Sequence, residues 1–190
     1  MASTSQVISK VQSNLDFWLP FHQYAPSLAN AQHKNSIAFF NVLAFHGVFF
    51  SSHFAQSAHY RWFKSINDWT ILYTELMREA NQYGGDDTYY INEGCYGQPQ
   101  KDHKLTLLDT YWEQWLEWNK KFNKPIKPSI GQVFKWLKDP QDDVNLFPNI
   151  GALSAILICG DLVEAGILSM ASVKEWAELI HKLKKGMMLD

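Results

Sequence analysis

The chain has 190 residues, of which 46% are hydrophobic and 19% charged, with a formal net charge of −2. That length suits one domain, or one core with an appended helix, and folding should bury roughly 70% of the surface of the unfolded chain. The charge balance excludes the overall basic footprint of a nucleic-acid-binding domain, and two cysteines, Cys95 and Cys159, exclude a disulfide framework.

The predicted elements are helices separated by proline, glycine and capping residues. Ser3 and Gln6 have capping-box spacing, and Val7, Ile8, Val11, Leu15 and Trp18 follow at helical intervals. Pro20 and Pro26 end that element. A run of 26 residues without a formal charge then extends from Asn35 to Tyr60. Asn35 or Ser36 caps the helix predicted there, which reaches Lys64, with Gly47 and the Ser51-Ser52 pair as the points of kinking. Ile37 to Phe50 is apolar almost all round, the pattern of a helix at the centre of a bundle. Asn41, His46, Ser51, Ser52, His53, Gln56 and Ser57 interrupt the run too often for a membrane span over 35–60, and no membrane is expected.

Asn67 or Asp68 starts the third helix, whose stripe is Trp69, Leu72, Tyr73, Leu76, Ala80 and Tyr83, and Gly84-Gly85 stops it. A long loop or lid is predicted from Gly84 to His103. Thr88 to Ile91 has β character within it, so a small hairpin is one form it can take. A fourth helix spans Leu105 to Phe122 with Leu105, Leu108, Trp112 and Trp115 inward, and a short fifth spans Ser129 to Lys138. The sixth, Asn149 to Leu168, is nearly all apolar as far as Cys159. Ser172 and Glu175 open the last helix with a second capping box, Gly186 closes it, and 187–190 form a tail. These elements predict an all-α protein: an orthogonal bundle of about seven helices around a central aromatic-rich helix, in a single domain over 1–190.

Chemistry is sparser than structure. His46 and His53 are seven residues apart, about 20° from one another on a continuous helix but roughly 10.5 Å apart along it. That is too far to share a metal without a bend, although a kink at Ser51-Ser52 would shorten the distance. No H-E-x-x-H, H-x-x-x-H or C-x-x-C occurs, Glu178-x-x-His181 has no second copy, and Ile71 breaks the Asn67–Glu75 pattern where a magnesium ligand would be needed. Neither metal nor cofactor is expected. The residues left as ligand-binding candidates are His46 and His53 on the central helix, with Tyr89, Tyr90, Cys95 and His103 in the long loop. Cys95 and His103 have the types needed for a nucleophile and its base, without an identifiable third residue. Asn119 to Lys138 holds six lysines and no acid among aromatic residues, a pattern read as a solvated face.

No catalytic constellation meets its spacing, while the aromatic surplus suits recognition. The expected function is therefore an intracellular, non-catalytic binding or interaction domain that takes a small molecule or a protein through an aromatic pocket or patch. The alternatives are a small-molecule enzyme using the central histidines with the 84–103 loop, and a structural homodimer. Nucleic acid is not an expected partner. The first residues lack the order of a secretory signal peptide, so a cytoplasmic or nuclear location is expected.

Overall fold

The computed structural model describes residues 35–92, 104–122, 126–138 and 146–186. All belong to one compact unit, Lys34–Asp190. The helix predicted near Ser3 lies outside the described residues. The class is all-α: eight α-helices and no strands occur among the described residues.

Helix α1, Asn35–Ala44, sits at the centre because it has no polar face. Ala38, Phe39, Phe40, Val42, Leu43 and Ala44 are all buried, and so is Asn41. Asn41 resolves its own burial. Its amide donates to the Phe63 carbonyl at 2.8 Å and accepts from the Phe63 N–H at 2.7 Å, closing a two-way bond with a segment 22 residues away. A buried amide of this kind is stable only when both ends are paired.

The central helix does not reach Lys64. It widens into a π-helical segment at Phe45–Phe49 and then breaks, with Ser51 in the left-handed region at φ 61°. Gly47 explains why the chain tightens here against its neighbours: a Cβ at that position would lie 2.6 Å from the Tyr111 ring carbon Cε2. Only glycine permits that approach. The Asn149 side-chain amide donates to the Gly47 carbonyl at 2.6 Å, and Tyr111 donates to the Pro148 carbonyl beside it. Ser52 then caps a separate short helix, α2, His53–Gln56, through the Ala55 N–H.

Helix α3 is Ile66–Ala80, capped by Ser65, and a 3₁₀ turn at Asn81–Tyr83 delivers the chain to Gly84 at φ 93°. The segment after it corrects the hairpin expectation. Asp86–Tyr90 is a helix, α4, so Thr88, Tyr89 and Tyr90 do not form a strand. Packing overrides β propensity here, because the helical turn buries Tyr89 and Tyr90 side by side.

Helix α5, Leu107–Phe122, buries Leu107, Leu108, Tyr111, Gln114 and Trp118. Trp112 and Trp115, expected inward, are only partly buried. α6, Ile130–Lys138, is opened by a reciprocal pair in which Ser129 N–H donates to Gln132 and Gln132 N–H donates to Ser129. α7 is Ala152–Glu164 and α8 is Val173–Gly186, the latter capped by the predicted Ser172–Glu175 box. α1 packs on α5 and α7; α6 and α8 pack on α7, and α2 and α3 pack on α4.

Aromatic rings run through the interior. Phe39 stacks on Trp118 with centroids 4.2 Å apart and also contacts Trp136 and Phe147. Beyond the π segment, Trp69 and Phe54 enclose Phe49 and Tyr90. No helix among the described residues is long and apolar enough to cross a membrane.

Candidate functional site

The break after Phe49 separates the two histidines expected on one face. His46 is 3% exposed, and its Nε2–H donates to Asp161 Oδ2 on α7 at 2.8 Å. Phe45 and Phe50 flank its imidazole at 5.1 and 6.0 Å. Tyr60 packs edgewise against Phe49 and Phe54 and at a tilt beside Phe45. Its phenol is held well above its ordinary value, first by burial and then by the Asp161 carboxylate. A π turn and a buried histidine therefore meet a half-buried carboxylate at the edge of the core. π-bulges of this sort are frequent at functional sites.

His53 lies on the surface instead. Its ring stacks on Tyr83 at 4.4 Å, and Tyr83 stacks on Tyr89 at 5.2 Å. Tyr83 is exposed and Tyr89 buried, so the column runs from solvent into the core. At its inner end the Tyr89 hydroxyl donates to Glu79 Oε2 at 3.3 Å, while the other Glu79 oxygen lies 3.2 Å from His59 Nε2. Burial raises the Tyr89 phenol above its ordinary range. Tyr90 packs against Tyr89 at 4.9 Å but is wholly buried.

Of the residues singled out in the sequence, the structure thus brings together His53, Tyr89 and Tyr90, and sets His46 apart with Asp161. Cys95 and His103 lie outside the described residues. Cys159 is buried, with its thiol directed at the Ile130 carbonyl and its pKa pushed up to about 12 by burial. Such a thiol is not a nucleophile at neutral pH. No group of three or more His, Cys, Asp or Glu side chains able to hold a metal occurs among the described residues.

Three lysines of the basic segment have identifiable surroundings. Lys120 pairs with Glu117 at 2.6 Å, and Lys121 lies 5.8 and 5.6 Å from the ring centres of Phe122 and Trp136. Lys138 donates to the Ile150 carbonyl, and burial lowers its pKa.

Sequence reasoning missed Asp161, Glu79 and the role of Tyr83, and set His59 aside as pointing elsewhere around a continuous helix. Asp161 carried a signal, being the sole charge between Ala152 and Val163. Glu79 looked like an ordinary helix-surface residue and Tyr83 like the end of the buried stripe, whereas Tyr83 is exposed, and only the turn back through α2 reveals what they face. No protein-family model, no curated protein and no solved structure matches this chain.

Proposed function

We propose that this unit is a non-catalytic binding domain that takes a protein partner or a small ligand against the His53–Tyr83 face. The observation that carries the reading is the ring column. The column presents the His53 ring and the exposed edge of Tyr83 to an occupant, and rings fixed in this way lose little entropy on contact. Glu79 and His59 beside it supply polar groups that can orient an occupant. An intracellular setting rests on the low cysteine count.

Tyr83→Ala tests this directly. Native mass spectrometry and pull-downs with the purified full chain should find an occupant on the wild type that the variant loses, with helix content unchanged. An occupant that the folded variant keeps would sink the proposal.

The second reading, a small-molecule enzyme, is favoured by the His46–Asp161 bond alone. A carboxylate that orients an imidazole is half of an acid–base apparatus. His46→Gln in a folded variant should abolish turnover of any substrate then found, and retained turnover would remove this reading.

A further inference from the structure

The three most exposed large apolar side chains among the described residues are Met170 at 87%, Ile126 at 86% and Val173 at 62%. Ile126 and Met170 fall on two loops that are bonded to one another, and Val173 begins the helix after the second. The Ser169 N–H and hydroxyl both reach the Pro128 carbonyl, at 3.0 and 3.3 Å, and the Lys127 ammonium lies over the turn at Gly166. Ile126 and Met170 therefore stand on either side of one pinned junction, with Val173 opening α8 three residues on. Single exposed apolar residues are ordinary, whereas the three extremes meeting at one junction are not.

The charges on the two loops themselves are basic. Lys127 and Lys174 are both exposed, and no acid occurs in 126–138 or in 165–174, while exposed Glu164 and Glu178 stand just outside those segments. The acid that follows, Glu175, is bound back onto Ser172. We propose that this junction is a membrane-docking tip: Ile126, Met170 and Val173 enter the interfacial layer of an anionic lipid surface while Lys127 and Lys174 meet the headgroups. Shape favours lipid over a peptide. Ile126 and Met170, with nearly all their surface in solvent, protrude, and a protrusion penetrates a bilayer interface, whereas a bound helix needs a groove lined by half-buried residues. Few apolar side chains give weak anchoring, so the lysines are required as the second signal. This surface is distinct from the His53–Tyr83 face and does not depend on that reading.

The test is co-sedimentation of the full chain with phosphatidylcholine vesicles, with and without phosphatidylserine, at low and physiological salt. Binding should require phosphatidylserine and weaken with salt. Lys127→Gln and Lys174→Gln should each reduce it about fivefold, the effect expected of one lysine at an anionic surface. Combined Ile126→Ser, Met170→Ser and Val173→Ser should eliminate it with the circular dichroism unchanged; Met170→Ser alone, in a loop, should weaken it if the triple variant does not fold. The proposal is overturned by absent binding at low salt or by serine variants that bind as the wild type does. A soluble Glu/Leu amphipathic peptide that binds in preference to the vesicles would also overturn it, and would assign the junction to a protein partner.

Discussion

Asp161 Oδ2 lies 2.8 Å from His46 Nε2 across a sequence separation of 115 residues, joining α7 to the π segment. His46 is 3% exposed, so removing the carboxylate, itself 21% exposed, leaves a buried ring donor without this acceptor. A double-mutant cycle with Asp161→Ala and His46→Ala should return a coupling of about 1–3 kcal/mol in urea unfolding, as expected for residues in direct contact. Additive losses would mean that the bond contributes nothing beyond its parts.

Gly47→Ala should destabilise the fold by about 1–3 kcal/mol, the range for overpacking a filled interior. The added methyl meets the Tyr111 ring, which is itself tied to the Pro148 carbonyl and has little room to move. Thermal or chemical unfolding checks this. A neutral substitution would show that the π segment can shift away from α5.

Asn41→Leu keeps the side-chain volume close but strands the N–H and carbonyl of Phe63. The expected cost is about 1–3 kcal/mol for buried backbone groups left unpaired. Hydrogen exchange at the Phe63 amide should accelerate in the folded protein, since its acceptor is gone.

Cys159 should resist thiol reagents in the folded protein and react on unfolding, which labelling of a Cys95→Ser chain would follow. Its pH dependence has a definite sign. The folded pKa is raised from 9.0 to about 12, so the unfolded chain gives up the proton first. The contribution to stability is whole below pH 9 and is lost as pH rises towards 12. Cys159→Ala should flatten that alkaline decline, leaving the part that comes from the similarly raised Tyr60.

Glu175 shows the opposite linkage. Bonds from the Ser172 N–H and hydroxyl hold its carboxyl below the ordinary value of 4.5. Their contribution is present above that value and disappears as pH falls through the lowered one. Amide protection in the first turn of α8 should therefore fall in acid, and Glu175→Gln should remove this dependence. Protection that stays constant through the acid range would show that the cap does not hold the turn.

The parts legible in the sequence were those with local causes. Ser172 and Gly84 act at the helix ends where capping and left-handed geometry put them, and the apolar girdle of Ile37–Phe50 did mark the central helix, whereas the third helix is capped by Ser65 and not begun by Asn67 or Asp68. The point at which that helix ends is not a local matter. Gly47 and Ser51 mark it only because Tyr111 and Asn149, far along the chain, occupy the space around the π segment. The site followed the same division. His46 and His53 stood out as polar interruptions, but their partners Asp161 and Tyr83 came from tertiary packing. Tyr89 and Tyr90 read as strand residues because their β preference is intrinsic, while the ring cluster that turns them into α4 is collective.

The two long-range bonds of the π segment also set an order of events during synthesis. His46 waits for Asp161 and Gly47 for Asn149, so the centre of the bundle is translated long before the groups that close it. At ordinary elongation rates the 115-residue interval lasts about 6–23 s. Throughout that time the apolar girdle of α1 is outside the ribosome or in its tunnel without its final cover. A nascent chain in this state offers a hydrophobic, ring-rich helix to its surroundings, and chaperone occupancy should peak over α1 and end once α7 emerges.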